Sequence, residues 1–166
     1  GWPPGSVTAI AGDVAYPGHR AALASAVRGL GRLDLLVNNA SVLGPTPMPA
    51  LSRYPLAALR ALYEVNLVAP LSLFQLVDEL LTASRGAVVN VSSDAAREPY
   101  EGWGGYGSAK AALDQVTAIL AEERKDLRVF AFDPGDMATD LQQQAFPGED
   151  VSDRPSAESV VPALLS

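Results

Sequence analysis

The feature that most constrains this chain is the spelling of its extended segments. "SVTAIAGDV" (6–14), "LDLLVNNA" (33–40), "GAVVNVSS" (86–93) and "LRVFAFDPG" (127–135) are near-continuous apolar runs that stop in polar or turn-forming residues. A strand with one face in water alternates apolar with polar residues, whereas a strand buried on both faces does not. Such strands, alternating with helices, give a parallel sheet covered on both sides, the doubly wound α/β class. The intervening stretches read as helices. "HRAALASAVRGL" is amphipathic and ends near Gly29 and Gly31, and a long run from Leu56 to about Ser84 should kink at Pro70. A further helix is expected from Tyr106 to Lys125, and a last one in "PSAESVVPALL" with Ser156 as its N-cap.

In this class the ligand crevice lies at the carboxyl ends of the strands. Those ends are Asp13, Asn38-Asn39-Ala40, Ser92-Ser93 and Asp133-Pro134-Gly135. All four carry groups able to contact a ligand.

Composition removes several alternatives. At 166 residues and 48% hydrophobic content, a single domain over residues 1–166 is expected. Twelve Lys and Arg against nineteen Asp and Glu give a formal charge of −7, which argues against nucleic acid or an anionic membrane as partner. No cysteine is present, so thiolate chemistry, disulfides and Cys-ligated zinc are excluded, and a cytoplasmic address follows. The single His19 cannot build a site with two imidazoles, so no metal is expected, and as part of "PGHRAAL" it reads as a solvated helix-terminus residue. No run approaches the ~20 apolar residues of a membrane span.

"GWGGYGSAK" (102–110) raises two readings. Gly102, Gly104 and Gly107 match G-x-G-x-x-G, but a dinucleotide fingerprint opens directly after a strand, and here "DAAREPYE" intervenes. The glycines are instead expected to serve a flexible loop beside the pocket. Tyr106 and Lys110, four residues apart, share a helix face. An ammonium near a phenol favours the phenolate and would lower the tyrosine pKa, which suits a general acid or base.

Six motifs recur in order across nearly the whole chain: Asp13-Val14 after a strand, "NNA" (38–40), Asn66 in "YEVNLVAP", "VVNVSS" (88–93), "YGSAK" (106–110) and "DPGDMAT" (133–139). In this combination the sequence resembles the short-chain dehydrogenase/reductase family. The resemblance implies a Rossmann-like domain and hydride transfer between NAD or NADP and a small-molecule carbonyl/alcohol substrate. It makes Tyr106 the proton donor or acceptor, Lys110 its partner and a ribose ligand, and Ser93 the holder of the substrate oxygen. Asn66 would support a water relay to Lys110. Asp13 and Val14 would contact adenine, and Asn39 and Ala40 the adenosine ribose side. Pro134, Gly135 and Met137 would lie along the nicotinamide, and Thr139 would bond its carboxamide or a phosphate. Residues from Asp136 to about Pro155 would form a substrate lid, with no cationic clamp for an anionic substrate. A homodimer or homotetramer through the two long helices is also implied.

Two departures from the family stand out. Ser41 follows "NNA" where the family usually has glycine, and the first strand, glycine-rich turn, helix and second strand are absent, so residues 6–12 look like a third strand without its neighbour. A chain that opens on Gly1 is therefore expected to be N-terminally truncated and, alone, a poor binder of NAD(P). The choice between NAD and NADP is lost with that region. Two alternatives remain open: a catalytically silent association module of the same fold, or a lyase or epimerase using the same Tyr-Lys pair.

Overall fold

The computed structural model describes residues 5–164. Three parallel strands, β1 (Leu35–Asn38), β2 (Ala87–Val91) and β3 (Arg128–Phe132), lie in the order β1-β2-β3. Helix α1 (Pro17–Leu30) precedes the sheet; it starts with proline in its first turn, where no intrahelical N–H partner is needed, and ends at Gly31 in the left-handed conformation. The β1–β2 crossover contains α2 (Leu56–Tyr63), a π turn (Glu64–Val68) and α3 (Ala69–Ser84). Helix α4 (Gly104–Glu123) joins β2 to β3, and α5 (Asp140–Ala145) and a short α6 (Val161–Leu164) follow. The expected last helix thus begins as a 3-10 turn, Ala157–Val160, after Ser156, and its final residue, Leu165, lies outside the described residues.

At Pro70, where a kink is expected, the regular α-helix is interrupted. Without an N–H the proline cannot complete the helical ladder, and the chain takes up the defect as the π turn immediately before α3, placing Pro70 in the first turn of α3.

Register sorts the side chains of the sheet. Leu36, Val88 and Val129 are cross-strand neighbours, and all three pack into the main core with Ala24 of α1, Phe74, Val77 and Leu81 of α3, and Leu120 of α4. The opposite row runs Val37, Val89, Phe130. Val89 is buried, but Val37 is 39% exposed and Phe130 51%. The α/β class with a parallel sheet is as expected, and among the described residues the helices of the main core lie on one face of the three strands.

The expected strand at 6–14 does not form. Val7 to Ala11 have no regular structure, with Val7 67% exposed. A strand exists through its neighbour's hydrogen bonds, and these residues pair with none. His19 is half-buried rather than solvated, its ring lying where a side chain at Gly12 would stand. Contrary to the sequence expectation, the run Leu56–Ser84 is long and apolar enough, by length and composition alone, to cross a membrane. In this fold its apolar side chains Phe74, Val77 and Leu81 are core residues.

A buried polar chain crosses the sheet beneath the strand ends. The Asn38 amide donates to Asn90 Oδ1 (2.7 Å), the Asn90 amide to Thr117 Oγ1 (2.8 Å), and Thr117 Oγ1 to the Leu113 carbonyl (2.7 Å). Replacing Thr117 by valine keeps the shape and strands the Asn90 amide. We expect Thr117→Val to lower unfolding free energy by about 1–3 kcal/mol, read as a lower urea midpoint; an unchanged midpoint would show that the chain carries no stability.

Candidate active site

The carboxyl ends of the three strands and the first turns of α4 enclose a cavity of about 330 Å³, within the range of small-ligand sites. β1 brings Asn39, Ala40 and Ser41 to its wall, β2 brings Ser92 and Ser93, and the turn after β3 brings Asp133 to Met137. Gly135 makes that turn with φ +70°, its N–H donating to Asp133 Oδ1 (3.0 Å).

Helix α4 can approach the strand ends because of its glycines. A Cβ on Gly107 would stand 2.6 Å from the Ala95 carbonyl oxygen, and side chains on Gly104 and Gly105 would collide with Leu51 and Tyr54. These three are thus close-packed helix positions; of the glycines expected in a flexible loop, Gly104 and Gly107 are helical and Gly102 lies in the turn before α4 at φ +84°. The resulting contact aims Tyr106 and Lys110 into the cavity, and both are buried. Trp103 sits edge-on to the Tyr106 ring, with centroids 5.7 Å apart, and packs at 5.9 Å from Phe146.

Ser93 takes an extended conformation at the head of a 3-10 turn, Asp94–Ala96. Its Oγ accepts from the Ala95 N–H (3.2 Å) and donates to Asp94 Oδ1 (3.0 Å). Tyr100 donates its phenol to Asp94 Oδ2 (2.8 Å). Burial pushes the Asp94 carboxyl up, but the hydrogen bonds from Tyr100, Ser93 and the backbone outweigh it, so the group is held below its ordinary value.

The electrostatics of the Tyr-Lys pair differ from expectation. Burial raises the Tyr106 phenol, hydrogen bonding with Ser41 and Ser93 opposes this, Asp133 and Asp94 add to the rise, and the result lies above the ordinary phenol value rather than below it. Lys110 is the more strongly shifted partner. Its ammonium stands 5.5 Å from the Tyr106 ring centroid and donates to the Val91 carbonyl (2.7 Å). Burial lowers it to about 8, against a smaller opposing pull from Asp114. Spacing reports proximity, whereas desolvation of both groups decides the sign.

The cavity gathers Ser93, Tyr106, Lys110, Asn39, Ala40, Pro134, Gly135, Met137 and Thr139 of the expected set. Asp13 and Val14 are not on its wall. Asp13 Oδ1 accepts from the Ala15 N–H (2.8 Å), and the Val14 carbonyl accepts from Arg20 (2.7 Å). Asn66 lies just behind the wall in the π turn, its side chain donating to the Val42 carbonyl (2.9 Å) and accepting from the Val42 N–H (2.9 Å). Thr139 caps α5 by accepting from the Gln142 N–H (3.3 Å). The expected lid, 136–155, is closed at its base by the Ala138 N–H donating to the Pro155 carbonyl (2.9 Å), and α5 within it brings Leu141 and Gln142 over the cavity. Sequence reasoning missed Ser41, Trp103 and Asp94 as wall residues; only the position of Ser41 after "NNA" carried a signal.

Residues 4–150 match the model of the short chain dehydrogenase family. The chain belongs to that family. Sepiapterin reductase of Mus musculus is 38% identical over 131 residues, which cover 74% of this chain and 50% of that protein. A solved structure of a putative short chain dehydrogenase from Pseudomonas syringae superposes with a TM-score of 0.87 at 29% identity, covering 94% of this chain and 65% of that one. A putative short chain dehydrogenase from Shigella flexneri, solved in complex with NADP, gives 0.82 at 29% identity over 89% of this chain and 62% of that one. The chain spans about half the length of the relatives it matches.

The dehydrogenase cavity fits the nicotinamide end of a dinucleotide. Lys110 holds a buried ammonium with one acceptor and N–H groups left to give, and Ser92 Oγ is buried on the cavity wall without a partner. Gly135 leaves backbone bare beside them. For the pyrophosphate, the described residues contain no glycine-rich turn that leads straight from a strand into a helix.

Because the folded Lys110 value lies below that of the unfolded chain, the unfolded state binds more protons between about 8 and 10.5. Stability should therefore rise with pH across that window. We expect Lys110→Met to lose this rise, so that the parent gains stability relative to the variant as pH climbs from 8 to 10.5; parallel curves by chemical denaturation would contradict the shift.

Proposed function

We propose that this chain carries the catalytic half of an NAD(P)-dependent reductase acting on a neutral carbonyl, with the corresponding alcohol as the reverse substrate. One observation carries the reading: the Tyr106 phenol, the Ser93 hydroxyl and the Lys110 ammonium stand on the walls of a single cavity formed by strand ends. When bound, the nicotinamide supplies the hydride. Tyr106, kept protonated at neutral pH by burial, delivers its proton to the substrate oxygen as charge develops there. Ser93 turns its O–H from Asp94 toward the same oxygen, and Lys110 holds the ribose hydroxyls. Trp103 and Leu141 shield the reacting centre from water.

Charge supports a neutral substrate. Asp94, Asp133 and Asp136 line the cavity with Lys110 as its cation, so an anionic substrate would be repelled. Association into a dimer or tetramer through α2 to α4 belongs to the same proposal, supported by exposed Leu56, Val68 and Ile119 on this run. The similarity to a sepiapterin reductase supports the reductive direction.

The test is NADPH and NADH oxidation with a panel of neutral aldehydes and ketones. We expect Tyr106→Phe to lower turnover by about 10²–10⁴-fold while leaving cofactor binding, read from protein fluorescence, in place. Carbonyl reduction should fall and alcohol oxidation rise as pH passes the phenol value, since reduction needs the protonated form. Full turnover by Tyr106→Phe would sink the assignment, and retained dinucleotide without net turnover would favour the lyase or epimerase reading.

A further inference from the structure

Three glutamines stand in succession in α5, and the structure treats each differently. Gln143 is stitched to the backbone around it, its Nε2 donating to the Phe146 and Glu149 carbonyls (both 3.0 Å). Gln144 is exposed. Gln142 is 8% exposed and stands on the wall of the cavity at the strand ends, yet its Nε2 is buried without a hydrogen-bond partner among the described residues. Its backbone is fully occupied: the N–H donates to Thr139 Oγ1 (3.3 Å), and the carbonyl accepts from the Phe146 N–H (3.1 Å). The residue is thus held in place while its amide end is left idle. A buried amide donor without an acceptor is costly, and an apolar side chain of the same length would fill the space without that cost. What the arrangement lacks is an acceptor, and the cavity is where one can enter. The last torsion of a glutamine is broad, so turning the amide toward an arriving acceptor costs little.

Two further observations say what the acceptor belongs to. Leu141 and Ala145, on the same helix, pack against the cluster of Leu43, Ala95 and Tyr106, so this turn of α5 lies over the tyrosine. Asp94, Asp133 and Asp136 share the cavity wall, which disfavours a further negative charge there. The acceptor is then an uncharged oxygen, on a molecule whose reacting carbonyl lies against Tyr106.

We propose that Gln142 selects the substrate: its amide donates to a second, uncharged acceptor oxygen on the carbonyl compound, so that keto esters, keto amides and diketones are preferred over simple ketones and over keto acids. The inference rests on the reading of the cavity as a carbonyl-reductase site. Ser93 and Tyr106 take the reacting oxygen, and Gln142 adds a second fixed point. Two fixed points leave the substrate fewer orientations than one, which holds the reacting carbon in line for hydride.

The test reads binding first, without cofactor. In protein labelled with nitrogen-15, the Gln142 side-chain NH2 pair is assigned by its loss in Gln142→Met and followed by NMR as ethyl acetoacetate is added. We expect a saturable shift of that pair, no shift with a monoketone of equal length, and weaker binding of acetoacetate than of its ester. Gln142→Met should bind ethyl acetoacetate about tenfold more weakly, read from protein fluorescence. It should bind the monoketone as the parent does and keep or raise the urea midpoint, an outcome that a merely structural glutamine would not give. If Gln142→Met does not fold, Gln142→Asn, which withdraws the amide by one methylene, answers the same question. Equal affinity of parent and variant for the ester overturns the inference, as does a pair that moves with nicotinamide mononucleotide and not with the ester. Binding as expected without NADPH or NADH oxidation upholds the inference and overturns the proposed function; reduction of ketones and keto esters alike, unaltered in Gln142→Met, does the reverse.

Discussion

The site depends on one buried amide. Asn90, in the middle strand just before the chain leaves the sheet, links β1 through Asn38 and α4 through Thr117. These bonds lie in the low-dielectric interior, where a satisfied polar group specifies one arrangement and an unsatisfied one is costly. They fix which residues of the three strands stand level. A slip of one residue would turn every side chain to the other face of the sheet, moving Ser93 and Asn39 away from α4. The next carbonyl along β2, that of Val91, is the one Lys110 reaches. The polar chain and the Tyr106–Lys110 pair are thus successive levels of one structure, the lower holding the upper in register.

Much of this was legible in the sequence. Strand ends could be located because apolar runs stop there in Asn, Ser and Asp, and three of the four runs are strands. The fourth failed because strand formation is a property of pairs: residues 6–14 have the composition of a strand, but among the described residues they join no sheet. Glycines 104 and 107 misled for a related reason. Sequence shows their permissiveness, but only the approach of Leu51 and Ala95 shows that their use is closeness and not freedom. Asn66 stood out in the sequence, but its partner Val42 lies twenty-four residues away along the chain, and nothing local announces that contact.

The Tyr106–Lys110 pair shows where pattern gives way to environment. Spacing on a helix establishes that two side chains meet, and the structure confirms that they do. Whether the meeting ionises the phenol depends on how much water each has lost. Here both are buried, and burial works against charge on either. The resulting site holds its proton in the resting state, a condition suited to giving it away.

The uncovered face of the sheet bears on how the chain behaves in company. Val37 and Phe130 stand in one row on that face, exposed to water in the native arrangement. Apolar surface of this kind, beside strand edges with unpaired backbone groups, is what molecular chaperones and growing aggregates ordinarily meet only in unfolded proteins. Val37 and Phe130 present apolar groups of this kind on the folded chain.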